Sequence, residues 1–479
     1  MTNRSKLLPA ALSLLVLGGC ATFSRDGGFG AVAQLTRERL NKDMSWARSP
    51  ADADRIGATV KKLLSRPLTA DNAVQVALLN NRGLQATYAE LGIAEADLVQ
   101  AGRLHNPGFT YQRTRQGDST AIERTFTIGL IDLLTQPLAL RVERRRFEQT
   151  KLSVANEALR VASETRSAYF EAVAATQTVK YMEQVKTAAE AGAELAARMA
   201  RAGNWSTLNQ AREQVFYAEA TAQLARTQQT SVAARERLTR LMGLWGDDVK
   251  FQLPERLPDL PADRPQLQDI EQIALRERLD IRAAKRQTES LAASLGLTKT
   301  TRFINVLEFG YVRNSETEMP RASGYEISLE LPLFDWGGAR VAKAENIYMQ
   351  AVNRVAEAAV NARSEVRESY QGYLTAYDLA KHYRDEIVPL RKKISEENQL
   401  RYNGMLISVF ELLADAREQV VSVNGYIDAL KEFWRADAGL QNALGGRLAT
   451  SPVTDGAGAF SAPAPTDQSH ISIDEGKQP

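Results

Sequence analysis

The chain has 479 residues, 44% hydrophobic and 25% charged, which is long enough to bury a large core without covalent or metal cross-links. Sixty Lys and Arg stand against 58 Asp and Glu, for a formal net charge of +2. That balance argues against a protein held to nucleic acid by phosphate neutralisation. A single cysteine excludes a disulfide framework and a thiolate metal cluster.

The N-terminus has the form of a targeting segment: Arg4 and Lys6 are basic and Leu7 to Leu17 are apolar. Leu17-Gly18-Gly19-Cys20 then resembles the lipobox of bacterial lipoproteins. The resemblance implies removal of a signal peptide at 1–19 and lipidation of Cys20; an ordinary signal peptide with an incidental cysteine is the alternative. Ala21, rather than an aspartate, implies the Gram-negative outer membrane rather than retention at the inner one. Beyond this segment no apolar run reaches the ~18 residues of a membrane-spanning helix. Residues 20–67 are expected to be a lipidated tether, loosened by Gly27, Gly28 and Gly30, with a short helical segment.

The first repeat is expected over 68–253. A helix starts at Asp71, taken as its N-cap, passes Leu78, Leu91 and Leu98 to Leu104, and stops at His105-Asn106-Pro107-Gly108. Strands follow at about 107–115 and 123–134, where Phe126, Ile128 and Leu130 alternate with Thr127 and Gly129. A helical hairpin occupies 138–244. Leu138 to Arg201 lacks proline, so 64 residues span about 96 Å at 1.5 Å each. Its apolar seam is Ala168, Ala172, Ala175, Val179, Met182, Val185, Ala189, Gly192 and Ala196. The turn Ala202-Gly203-Asn204 begins a returning helix that ends near Leu241-Met242-Gly243.

Pro254, Pro258, Pro261 and Pro265 make 254–265 a stiff connector. The second repeat, 266–446, has a helix from about Gln266 to Thr300, strands at about 303–314 and 322–333, and a hairpin over 339–444. Pro389 should kink its long helix. Val352, Val355, Ala359, Ala362, Val366, Ser369, Tyr373, Ala376, Ala380, Tyr383, Ile387 and Leu390 alternate in steps of 3 and 4, a coiled-coil seam. The tip is Asn403-Gly404-Met405. The polar, Ala- and Pro-rich stretch 447–479 is expected to be a disordered tail.

The halves repeat one another. Phe126 to Val142 align on Tyr325 to Val341, 199 residues later, and both returning helices carry Ala-Arg-Glu-Gln, at 211–214 and 416–419. The alternating runs fit either a half-buried soluble sheet or outer-membrane barrel strands. Four strands cannot close a barrel, and an open edge is not tolerated in hydrocarbon. The chain therefore either avoids the membrane or shares a barrel, to which three copies would supply twelve strands.

Glu277-Arg278-Leu279-Asp280-Ile281-Arg282-Ala283-Ala284, Leu331-Pro332-Leu333-Phe334-Asp335-Trp336-Gly337-Gly338 and Arg401-Tyr402-Asn403-Gly404 leading to Glu411-Leu412-Leu413-Ala414-Asp415-Ala416-Arg417 resemble the TolC family of outer-membrane efflux channels in their order and duplication. The resemblance covers about 68–446. It implies a mainly α fold with a minor β part, built from a duplicated helix, two strands and long hairpin. A homotrimer would form a 12-stranded outer-membrane β-barrel continuous with a periplasmic α-helical coiled-coil tunnel. It implies a passive conduit with no cofactor and no metal site, docked through the tip turns at Gly203 and Gly404 to a periplasmic adaptor and an inner-membrane pump. Opening would be an iris-like movement of the coiled coils. The gate carried over is Arg401, Tyr402 and Glu411; Ala414 and Asn209 depart from the family's acidic residues, which implies a less acidic constriction. A type I protein-secretion channel and a lipid-anchored periplasmic adaptor are the alternatives. Catalysis has no support: there is no phosphate-cradling glycine loop, and His105, His382 and His470 are scattered.

Overall fold

The computed structural model describes residues 22–264, 266–304 and 306–446. The signal peptide, Cys20 and the tail at 447–479 lie outside the described residues. Helices α1 (Phe29–Leu40), α2 (Pro50–Leu64), α3 (Ala70–Asn80) and α4 (Arg82–Ala101) precede strands β1 (Gly108–Gln116) and β2 (Ser119–Gly129). The hairpin α5 (Leu130–Arg201) and α6 (Thr207–Met242) completes the first half. The second half has α7 (Ile270–Glu277), α8 (Leu279–Thr301), β3 (Leu307–Glu316), β4 (Ala322–Leu329), then α9 (Gly338–His382), α10 (Val388–Asn403) and α11 (Val409–Ala443).

Residues 29–40 are not a loose tether. Val32 is 1% exposed among Leu84, Tyr88, Leu91, Val154 and Leu159. The glycines before it serve a turn instead: Gly27 and Gly28 have φ of 67° and 76°, and Asp26 accepts from the amides of Gly28 and Gly30. The helix expected from 71 to 104 is two helices. Thr69, not Asp71, caps α3 by accepting from the Asn72 amide at 3.1 Å. Asn81 then turns extended, with ψ of 120°, and caps α4 at the Leu84 amide while donating to the Leu241 carbonyl. The second half breaks in the same way at Arg278, which pairs with Asp280 and Glu365. An asparagine or arginine break of this kind leaves the 3.6-residue apolar period on either side intact.

The four strands form one antiparallel sheet in the order β1-β2-β3-β4, so β1 and β4 each keep an edge unpaired among the described residues. Phe109, Phe126, Tyr311 and Tyr325 fall in one row across all four strands, and Ile128, Phe309 and Ile327 in the next row on the same face. Most of these large apolar side chains are exposed, Tyr325 at 78% and Ile327 at 70%. The opposite face carries Thr125, Thr127, Glu308, Gly310, Glu326 and Ser328.

Strand β2 ends at Gly129 rather than near 134. In the second half Pro332 and the Gly337 turn separate strand from helix; Gly337 has φ of 72°, and a Cβ there would stand 2.6 Å from the Arg302 carbonyl oxygen. The first half has Leu133 and Leu138 at those repeat positions, so α5 begins at once and runs 72 residues through Pro137. At 1.5 Å per residue that is about 108 Å.

The seam on α5 is buried or half-buried throughout, from Ala168 to Ala196. On the second long helix the seam holds as far as Ile387 and then slips. Pro389 has no amide hydrogen, and the chain relaxes into a π-turn over Tyr383–Ile387 closed by the Val388 amide on the Tyr383 carbonyl. The extra residue moves the packed position from Leu390, 59% exposed, to Arg391. Gly425 on α11 makes room for this turn: a Cβ there would meet the Tyr383 ring at 2.8 Å.

The largest core lies midway along the hairpins. It joins Tyr169, Phe170, Leu238, Met242, Val366, Tyr373, Tyr377 and Phe433, with Leu257 and Leu260 of the proline-rich connector buried among them. The connector is a strap tied to three helices: the Leu257 amide donates to Gln177, Trp434 Nε1 to the Pro258 carbonyl, and Tyr377 Oη to the carbonyls of Pro261 and Ala262.

Candidate gate at the hairpin tips

The two tips lie at the ends of the hairpins remote from the sheet, where α5 turns into α6 and α10 into α11. The first is a glycine turn: Gly203 has φ of 76°, and the Asn204 amide reaches back to the Met199 carbonyl at 3.0 Å. In the second the left-handed residue is Met405, with φ of 58°, not Gly404, and the Leu406 amide bonds the Arg401 carbonyl at 2.8 Å. The sequence places the turn one residue early because glycine is the usual occupant of that conformation; here α10 runs on to Asn403.

Each returning helix starts on a serine. Ser206 Oγ accepts from the Asn209 amide at 3.2 Å and Ser408 Oγ from the Glu411 amide at 3.3 Å. Glu411 also accepts from the Ser408 amide, which completes a capping box. Ser-x-x-Glu at 408–411 is a legible sequence signal for this role. Arg401 pairs with Glu397 at 3.2 Å, one turn back on its own helix, and Tyr402 is half-buried. Among the described residues no hydrogen bond or ion pair joins Arg401, Tyr402 and Glu411 to one another. Asp385, in the π-turn above, is held below the usual carboxylate range by its hydrogen bond from Arg384.

An ion pair that bridges the hairpins lies two turns further in. Glu213 on α6 is 1% exposed and accepts from Arg417 on α11 at 2.5 Å, while the Arg417 guanidinium also lies 4.6 Å from the centre of the Phe216 ring. Beside it is a cavity of about 220 Å³ lined by Tyr181, Val185, Ala189, Gly192, Leu413 and Val420 among others. Burial raises the Tyr181 phenol above its ordinary value. Asp415, two residues before Arg417 on α11, is 9% exposed, and its Oδ2 has no hydrogen-bond partner among the described residues. Burial of these two acids is invisible to sequence reasoning, because a lone Glu or Asp on a helix is ordinarily a solvated charge.

The two Ala-Arg-Glu-Gln segments are not structural equivalents. Ser206 and Ser408, and the left-handed Gly243 and Gly445 at the far ends, set the returning helices 202 residues apart, against 205 for the tetrapeptides. In this register Glu213 matches Asp415, Ala220 matches Ser422 and Met242 matches Leu444, all of them buried.

Solved structures share this architecture. The open-state MtrE outer membrane channel of Neisseria gonorrhoeae matches with a TM-score of 0.67 at 17% identity, covering 79% of this chain and 89% of that one. The CmeC outer membrane channel of Campylobacter jejuni matches at 0.64 and 16% identity, covering 89% of this chain and 93% of that one. The fold is that of the outer-membrane channels. The CusC structures, described for folding and transmembrane channel formation, match at 0.64 with 16% identity, over 81% of this chain and 94% of that chain. In sequence, the cobalt-zinc-cadmium resistance protein CzcC of Cupriavidus metallidurans is 24% identical over 280 residues, 56% of this chain. The match spans 64% of that relative's length. No protein-family model matches the chain. The mainly helical, duplicated channel fold expected from the sequence is thereby borne out.

Proposed function

We propose that the chain is the outer-membrane channel component of a tripartite efflux system, a passive conduit rather than an enzyme. The observation that carries this reading is the sheet: large aromatic and aliphatic side chains are exposed across one face of all four strands, and both edges lack a partner among the described residues. Such a face suits lipid and such edges need other strands. Three copies would close a twelve-stranded barrel, with the ~100 Å hairpins as the walls of a periplasmic tunnel. In this reading Cys20 carries the lipid anchor at the Gram-negative outer membrane. The tip turns at Gly203 and Gly404 dock the periplasmic adaptor, which links the channel to the inner-membrane pump. Arg401, Tyr402 and Glu411 stand at the constriction, where three Glu411 carboxylates would favour cations.

The likeness to a cobalt-zinc-cadmium resistance protein supports divalent metal cations as cargo. The test is a deletion strain assayed against cobalt, zinc, cadmium, copper, silver and a panel of antibiotics. Metal hypersensitivity reversed by the wild-type gene supports the reading; antibiotic hypersensitivity alone moves the cargo to drugs, and unchanged susceptibility removes the efflux role.

A further inference from the structure

Within one chain the repeat shows how one hairpin receives the next. Helix α11 packs along α5. At the contact, a Cβ on buried Gly192 would stand 3.6 Å from Leu413 Cδ2 and 3.8 Å from Glu213 Oε2. Leu413 thus fills the space that Gly192 leaves, and Arg417, one turn on, covers Glu213.

The 202-residue register places an equivalent contact surface on each outer flank of the chain, and there it is bare. The left-handed tip residues Gly203 and Met405 carry the same 202-residue spacing onto α10, so Ile394 stands where Gly192 stands on α5, and it is 44% exposed. Ala211 on α6 stands where Leu413 stands on α11, and Val215 where Arg417 stands; both are exposed, Val215 at 55%. Val232, 61% exposed, occupies the position of Trp434, which stacks on Phe170 within the chain. Large and small exchange sides, Gly192 with Leu413 against Ile394 with Ala211, so that the filled volume is kept. Asp415 is the counterpart of Glu213, buried but with Oδ2 unpartnered.

We infer that α6 of a second copy lies on the α10–α11 flank in the register that brings Ala211 of one chain onto Ile394 of the other. This rests on the ring of copies proposed above and fixes its helix register. The contact is heterologous, each copy offering a different surface on each side, and three copies related by a third of a turn close it into a ring. A further consequence concerns charge. Val215 takes the place of Arg417, so the seams between copies lack the arginine that closes the seam within each copy. Asp415, buried in its own chain with Oδ2 unpartnered, therefore meets no arginine from the neighbouring copy.

Two experiments test this on the full-length protein in membranes. Ala211→Cys with Ile394→Cys in one chain, treated with a short bismaleimide, should give a ladder of dimers and trimers on denaturing gels; the wild type, with Cys20 alone, should give none. A heat-labile trimer without a ladder would overturn the register and leave the channel reading intact. A monomer by native mass spectrometry would overturn both. Independently, Val215→Arg supplies the missing cation and should raise the temperature at which the trimer dissociates on gels. Adding Asp415→Asn should cancel that gain. A gain that persists with Asp415→Asn, or no gain at all, would overturn the assignment of Asp415 to the seam.

Discussion

The Glu213–Arg417 pair gives the clearest mutational asymmetry in the molecule. The Arg417 side chain is 28% exposed and Glu213 is 1% exposed, so the two ends of the pair differ in what is left behind. Arg417→Met leaves a carboxylate buried with no cation beside it, a loss of about 3 kcal/mol. Glu213→Gln leaves a guanidinium with water at one side and Phe216 beneath it, a loss of about 1 kcal/mol. A trimeric membrane protein has no simple two-state unfolding free energy, so local opening is the proper readout. Amide hydrogen exchange over the α6 turns from Glu213 to Ala220 should accelerate roughly a hundredfold in Arg417→Met and about fivefold in Glu213→Gln. The double variant should exchange more slowly than Arg417→Met alone, because the stranded charge is gone. Equal losses in the two single variants, or a double variant as fast as Arg417→Met, would refute the buried-charge argument.

Glycine positions separate a crowded turn from an open one. Gly243→Ala adds a Cβ 2.6 Å from the Asn80 carbonyl oxygen at φ of 66° and should destabilise by about 2–4 kcal/mol, while Gly203→Ala meets nothing within 4 Å and should cost about 1 kcal/mol; thermal dissociation of the two proteins compares them. Ser408→Ala should cost about 1 kcal/mol and fray the start of α11 in hydrogen exchange. Glu411→Gln preserves the capping box, so helicity by circular dichroism should be unchanged while cation preference in single-channel recordings falls; a loss of helicity with unaltered preference would mark Glu411 as a cap alone. Cys20→Ala should abolish palmitate labelling, and continued labelling would remove the lipid anchor from the account.

The duplicated architecture was legible because it depends on periods. Phe126 to Leu130 alternate, the seam from Val352 to Ile387 steps by 3 and 4, and each repeats about 200 residues away. What escaped depends on single side chains whose partners are remote in sequence. Asn81 breaks a helix because its side chain reaches Leu241, and α1 is ordered because Val32 finds α4 and α5. Pro389 announced a kink, but only the structure shows it absorbed as a π-turn that moves the seam from Leu390 to Arg391. At the tips, resemblance proposes Arg401, Tyr402 and Glu411, whereas it gives no hint of the ion pair between the hairpins, Glu213 with Arg417. The shared tetrapeptide points to the wrong register, three residues from the one the caps impose.

The central claim is that this chain completes its sheet with other copies to make a membrane channel. Purified protein reconstituted in planar bilayers tests it most directly. The account predicts a trimer that resists dodecyl sulfate until heated and discrete conductance steps that disappear when the trimer is boiled apart. A monomer that stays in solution after delipidation and leaves the bilayer silent would contradict it.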